Sequence, residues 1–238
     1  MSNKIKSVDI IEKPPSVHVA CYAYGDIHSA VLTSWIDLAA KLTETKRKAE
    51  LRIIREDALI SRSRCRATQF YLNSPCDVWI QIDHDIQFNI DDVLRMADLA
   101  HSHQAAVCIP YSCRSFPPRP ALRPLPDAKP LAEDPTLTPI LFFASGCVAI
   151  PRAAIEKTIG LLEEPTAPEP YRIQWVQDEM AGKFPTLWMP FVAECAKGKE
   201  YLSEDYAASA RLSLCDIPQY SMEPSTKLQH WGDMNYKL

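Results

Sequence analysis

Apolar positions along the chain follow two rhythms, short dense runs and helical spacings. Val17-His-Val-Ala-Cys-Tyr-Ala-Tyr24 is a dense run closed by Gly25-Asp26, which predicts a strand followed by a turn. From Ser29 onward, Val31, Trp35, Leu38, Ala39 and Leu42 recur at helical spacing, so one face of a helix packs on a sheet. Residues 50–54 predict a second strand, and Asp57 is placed to cap a helix running to about Leu72. Asp77-Val-Trp-Ile-Gln-Ile82 has the pattern of a strand covered on both faces, and it ends in Asp83-His84-Asp85. Asn89, with Asp92 three residues on, predicts a capped helix whose inner face carries Val93, Met96, Ala97 and Ala100. Ala105 to Pro110 predicts the next strand. Strands alternating with helices in this way predict an α/β fold with an open, mostly parallel central sheet flanked by helices.

The second half is less regular. Eight of the twenty prolines fall between residues 117 and 139, in a stretch without apolar periodicity, so 114–139 reads as an extended loop. Its PxxP spacing also suits a polyproline ligand, and an active-site flap or a surface loop fits a chain with no other signalling feature better. Residues 140–150 predict a strand, with Pro151 in the first turn of the helix after it. An irregular, aromatic-rich stretch spans 163–200, after which Ser203 is placed to cap a helix from Glu204 to about Cys215. The chain closes on Leu228-Gln-His-Trp-Gly232. No internal repeat is present, and one domain over 1–238, with variable loops near 114–139 and 163–200, accounts for the pattern.

Composition narrows the classes. With 238 residues and 47% hydrophobic content the chain can bury one substantial core. A formal charge of −4 gives no general attraction to nucleic acid, and Lys46-Arg47-Lys48 reads as the solvated face of a helix. The eight cysteines are scattered through apolar segments with no CxxC pair, which predicts buried, reduced thiols. No apolar run approaches the ~18 residues of a membrane span and the N-terminus is polar, so a cytoplasmic protein is expected.

Chemistry concentrates at four places. Two carboxylates at i and i+2 on a strand share a face, with Cα atoms about 6–7 Å apart. At the carboxyl end of a sheet strand, Asp83 and Asp85 lie where open α/β sheets bind ligands. Hard oxygen ligands suit Mg²⁺ or Mn²⁺, ions that keep positions for water and substrate phosphates; an acidic turn before a helix is the bland alternative. Arg62, Arg64 and Arg66 lie on the helix after residue 57, where one arginine directed at the sheet edge would clamp a phosphate or base and solvated arginines are the alternative. Glu204 and Asp205 open a helix, as dipole-complementing acids or as a rigidly aimed general base. His230 is a surface residue, a core residue or a metal ligand.

In this order the segments resemble the GT-A class of glycosyltransferases. Ser63-Arg64-Cys65 resembles the family's Ala-Arg-Asn helix start, with the alanine and asparagine replaced and the arginine kept. Trp79-Ile-Gln-Ile-Asp-His-Asp-Ile-Gln-Phe88 resembles the strand that ends in the DxD motif, and Ala144-Ser145-Gly146 with Cys-Val-Ala-Ile-Pro-Arg152 resembles the glycine-containing acceptor-side strand. Tyr201-Leu-Ser-Glu-Asp-Tyr206 is similar to the Glu-Asp motif of inverting members, and Leu228-Gln-His-Trp-Gly232 to the terminal segment that supplies a metal histidine.

The resemblance implies a single GT-A (Rossmann-like) domain and a Mn²⁺- or Mg²⁺-dependent hexosyl- or pentosyltransferase. The donor is a UDP- or GDP-type nucleotide-sugar, and the acceptor hydroxyl belongs to a glycan, lipid or protein. Asp85, Asp83 and His230 are implied at the metal, with Asp83 contacting the ribose or reaching the ion through water and His84 no ligand. Ala20, Tyr22, Arg64 and Asp83 are implied at the donor, with Tyr22 stacking on the base; Ser145 and Gly146 lie on the acceptor side. Asp205, beside Glu204, is implied as the base of an inverting displacement, while retaining members also combine DxD with a late histidine. Trp175, Trp188 and Trp231 are sugar platforms or core residues. Two rivals remain: a sugar-phosphate nucleotidyltransferase, whose usual glycine-rich loop is reduced here to Gly25, and a non-catalytic carbohydrate-binding module of the same fold.

Overall fold

The computed structural model describes residues 13–23, 25–55, 59–113, 115, 117–173, 175–176, 187–188, 194–195, 201–231 and 236–237. Of residues 170, 174–200 and 232–238 no side-chain placement is described. The strands are β1 Val17–Ala23, β2 Ala49–Arg55, β3 Val78–Asp83, β4 Ile86–Gln87, β5 Ala106–Cys108, β6 Leu122–Pro124, β7 Leu137–Phe143, β8 Cys147–Pro151, β9 Trp175–Val176, β10 Leu187–Trp188, β11 Glu194–Cys195, β12 Tyr201–Leu202, β13 Gln219–Met222, β14 Gln229–His230 and β15 Tyr236–Lys237. The helices are α1 Ser29–Glu44, α2 Ile60–Leu72, α3 Ile90–His103, α4 Arg152–Leu162 and α5 Glu204–Leu214.

Eight strands form the central sheet in the order β2-β1-β3-β8-β5-β13-β7-β6. β1 pairs in parallel with β2 and β3, and β13 with β5, whereas β8 runs against β3 and β5 and β7 against β13 and β6. The sheet is therefore mixed, with all strands but β8 and β7 pointing one way. β1 is buried along its whole length because both faces are covered. Its odd positions, Val17, Val19 and Cys21, pack with Val31, Trp35 and Leu38 of α1 and Val93, Met96 and Ala97 of α3. Ala20 and Tyr22 face Ala67 and Tyr71 of α2, within a second core that also holds Ile155 of α4 and Leu212 of α5. This period-2 division between two helical layers is the reason the strand reads as continuously apolar.

Several local expectations are corrected. The apolar run 140–150 is two strands, because the chain turns at Ser145–Gly146 and β8 inserts between β3 and β5 while β7 lies toward the far edge. The segment 114–139 contains β6 and the start of β7; Pro124 is accommodated at a register shift on the edge strand, where no inward N–H is required. At α2 the N-cap position is Leu59, without a side-chain cap, and Asp57 lies outside the described residues. Pro151 occupies the N-cap position of α4 rather than its first turn.

Lys46-Arg47-Lys48 follows the end of α1, and Arg47 is buried instead of solvated. Lys46 takes a positive φ of 54°, and the turn it makes carries Arg47 inward, where Nε donates to the Pro15 carbonyl at 2.8 Å and the guanidinium meets Asp98 at 2.8 Å. Six of the seven described cysteines are buried, Cys113 being half-buried. Among the described residues no helix is long and apolar enough to cross a membrane.

Candidate active site

The site forms along the carboxyl edge of the sheet, at the ends of β1 and β3, and gathers its side chains from five further segments: α2, the stretch after β5, the β7–β8 turn, the start of α5 and β14. β3 delivers Asp83 as its last residue, and the chain then turns through His84-Asp85 into β4. The turn changes the expected geometry of the acid pair: Asp83 and Asp85 do not act as two successive same-face strand positions but have separate partners. Asp83 is fixed from below, its backbone N–H donating to the Gly146 carbonyl at 3.0 Å.

Arg64, on the first turns of α2, is only 3% exposed. Its Nη1 donates to Glu204 Oε1 at 2.6 Å and its Nη2 lies 3.3 Å from Asp83 Oδ1, so one guanidinium joins the end of β3 to the start of α5. Burial opposes this charge, and Asp83, Glu204 and Asp205 more than offset it, so the guanidinium is held above its ordinary range. A buried charge of this kind is stable only when paired on both sides. Beneath it, the Tyr22 ring centroid lies 5.6 Å from the guanidinium carbon and the Tyr22 hydroxyl donates to Gln81 Oε1 at 2.7 Å. Tyr22 and Ala20 are buried, and the tyrosine supports Arg64 in place of presenting an open stacking face.

Asp85 meets His230 through a small second sheet. β4 pairs antiparallel with β14, setting His230 opposite Ile86 and Gln229 opposite Gln87. The Trp231 N–H closes the arrangement by donating to the Asp85 carbonyl at 2.8 Å, and the Trp231 indole N–H donates to Gln87 Oε1 at 3.1 Å. His230 Nε2 then stands 3.4 Å from Asp85 Oδ2. Its Nδ1 lies 2.7 Å from the Ser112 carbonyl, an oxygen that can only accept, so Nδ1 carries a proton and the ring is oriented with Nε2 toward Asp85. A hard carboxylate and an oriented imidazole nitrogen suit Mn²⁺ or Mg²⁺ as a two-ligand platform. Among the described residues no three His, Cys, Asp or Glu side chains converge on one point. An ion held here would take its other ligands from water and phosphate, as these cations commonly do.

The field of the acids is felt by their neighbours. The Cys21 thiol is pushed up to about 12 by burial and then by Asp83 and Asp85. Burial, followed by Asp83, holds the Tyr111 phenol well above its ordinary range. Tyr111 lies under His230, ring to ring at 5.3 Å and nearly perpendicular, and a Cβ on Gly146 would stand 2.4 Å from its hydroxyl oxygen. Glycine at 146 is what admits the tyrosine. Ser145, with a buried hydroxyl that finds no hydrogen-bond partner among the described residues, belongs to the same floor.

Asp205 sits in the first turn of α5. Ser203 holds the N-cap position without capping a backbone N–H; its hydroxyl donates to Asp205 Oδ1, which also accepts from the Tyr206 N–H at 2.8 Å. These bonds engage Oδ1 and leave Oδ2 outside them. Trp231 stacks on His28 at 4.0 Å, and the side chains of Trp175 and Trp188 lie outside the described residues.

Sequence reasoning missed the Ser112 carbonyl, Tyr111, Gln87 and His28. Ser112 acts through a backbone atom, Tyr111 and His28 through ring contacts, and Gln87 through a side-chain oxygen that its place in the Trp79–Phe88 segment does not announce.

No protein-family model matches the sequence, and no curated protein matches it. Among solved structures, A197 from STIV is similar over 92% of this chain and 86% of its own, with 14% identity and a TM-score of 0.52. GalNAc-T7, crystallised with UDP, GalNAc and Mn²⁺, is similar over 89% of this chain and 43% of its own, with 10% identity and a TM-score of 0.50. At these identities the likeness is one of fold, and the chain carries a GT-A-like α/β fold, an eight-stranded mixed sheet between helical layers.

Proposed function

We propose that the protein is a metal-dependent glycosyltransferase that moves a sugar from a UDP- or GDP-type donor to an acceptor hydroxyl with inversion. The observation that carries this reading is the pairing of an oriented His230 Nε2 with Asp85 beside the buried Asp83–Arg64–Glu204 bridge. The fold shared with GalNAc-T7, which was crystallised with UDP, GalNAc and Mn²⁺, supports it.

In this reading Asp85 and His230 hold the divalent ion, and the chemistry such an ion supplies is neutralisation of the charge on the departing diphosphate. Asp83 contacts the ribose, and Arg64 steadies Asp83 while adding positive potential next to the nucleotide. Glu204 is assigned to holding Arg64, since its carboxylate already accepts from the guanidinium at 2.6 Å. Asp205, anchored through Oδ1, takes the acceptor's hydroxyl proton as that oxygen bonds to the anomeric carbon and the carbon–oxygen bond to the diphosphate breaks. The acceptor is a glycan, lipid or protein hydroxyl.

The Asp205→Ala variant tests the division of labour. It retains Mn²⁺-dependent stabilisation by the nucleotide-sugar in a thermal-shift assay, while transfer falls by about 10²–10⁴-fold. Transfer at the wild-type rate in this variant removes Asp205 from the base role.

A further inference from the structure

Asp92 has a pattern and a place that do not agree. Three residues after the cap Asn89, it stands where a capping-box acid reaches back to its own helix start. The Asn89 side chain does accept from the Asp92 N–H at 3.1 Å, but the Asp92 carboxylate turns away. Oδ1 accepts from the Ser225 N–H at 3.0 Å, and Oδ2 from the Ser225 hydroxyl at 2.9 Å and the Thr226 N–H at 3.2 Å. The residue is 3% exposed. A buried carboxylate on a first helical turn is favoured by the helix dipole and strengthened by each N–H it accepts.

The two residues gripped in this way begin the segment that ends in the candidate metal histidine. Thr226 is followed by buried Leu228, then by Gln229 and His230 in β14. β14 lies against β4, which immediately precedes Asn89 and α3. The stretch from Asp83 to Asp92 therefore contacts the terminal segment at both ends, through the Asp85 carbonyl at Trp231 and the Asp92 carboxylate at Ser225–Thr226. The β4–β14 ladder is only two residues long in each strand, too short to fix the segment alone.

We infer that Asp92 is a positioning residue for the metal site, docking residues 225–226 so that β14 presents His230 to Asp85. This rests on the metal role given to Asp85 and His230 above. It adds that the acid pair's own downstream helix sets the histidine in place, so that both ligands are referred to one rigid element.

The test is Asp92→Ala, read by hydrogen exchange over residues 225–231 and by Mn²⁺ affinity of the folded protein from calorimetry. Exchange in 225–231 rises relative to the sheet, and Mn²⁺ affinity falls by about 10-fold, the lower end of what losing a metal ligand's own hydrogen-bond partner costs, since Asp92 grips the segment and not the histidine itself. A purely stabilising role would leave Mn²⁺ affinity of the folded variant unchanged, and that result overturns the inference, as does unchanged exchange in 225–231. If the alanine variant does not fold, Asp92→Asn, which keeps one acceptor oxygen, carries the same comparison with the same criteria. Wild-type protein that takes up no Mn²⁺ fails the metal reading itself, a result obtained before any Asp92 variant is compared, and the positioning role falls with it.

Discussion

Arg64 shows how much one residue can organise. Its guanidinium is drawn into a largely apolar layer above Tyr22, at a desolvation cost that only the two carboxylates at its ends make tolerable. The arginine was visible in the sequence as one of three on a helix; that it alone would be buried was not, because Arg62 and Arg66 share its chemistry and differ only in the face they occupy. His18 presents the opposite case, an ionisable ring kept neutral. It is fully buried in β1, edge-on to Tyr71 at 5.8 Å, and burial, followed by Arg52 and Arg152, lowers its pKa from 6.5 to about 4. A folded-state pKa below the unfolded value means that stability is complete above pH 6.5 and lost as pH falls toward 4. The expected loss between pH 7.5 and 4.5 is about 2–3 kcal/mol from this residue. Urea denaturation of wild type and His18→Phe at the two pH values checks it: the variant loses less stability on acidification, and equal losses would contradict the assignment.

At the scale of elements, the turn between β7 and β8 is decisive for the site. Residues 140–150 are apolar on both sides of Ser145-Gly146, and reading them as one strand passes over a turn dipeptide at the point where the chain reverses. Gly146 was legible as a glycine in a motif, whereas its partner Tyr111, thirty-five residues earlier, was not. Adding a methyl group at 146 brings a carbon within 2.4–2.7 Å of the Tyr111 hydroxyl and ring, and the ring is buried under His230 with little room to yield. Gly146→Ala is expected to destabilise by about 1–3 kcal/mol. Combining it with Tyr111→Leu recovers part of that loss, so a double-mutant cycle by urea denaturation gives a non-zero coupling. Strict additivity would show that the clash is relieved elsewhere. The same limit explains Asp92, which occupies a position that sequence rules assign to capping while its side chain is taken by a tertiary partner that local rules do not contain; at Ser203 the partner is local, the Asp205 carboxylate two residues on.

For the molecule as a whole, the alternation of strands and helices made the α/β class readable, since each dense run and each helical stripe needs a layer to cover it. The strand order was less accessible, because the insertion of β8 against β3 and β5 is set by pairing between segments far apart in sequence. What the assembled fold adds is convergence. The ends of β1 and β3, the β7–β8 turn, the start of α5 and the β4–β14 ladder arrive at one edge, where four carboxylates, one buried arginine and one oriented imidazole stand together. Such a surplus of negative charge beside an imidazole nitrogen would favour a divalent cation and, through it, a diphosphate.

That claim is tested most directly by incubating the protein with a panel of UDP- and GDP-sugars and measuring release of nucleoside diphosphate with and without Mn²⁺. The account predicts release with at least one donor, dependent on Mn²⁺ and lowered by about 100-fold or more in Asp85→Ala. Release of the same size without a divalent ion and in Asp85→Ala, or pyrophosphate formed instead from a nucleoside triphosphate and a sugar phosphate, would contradict it.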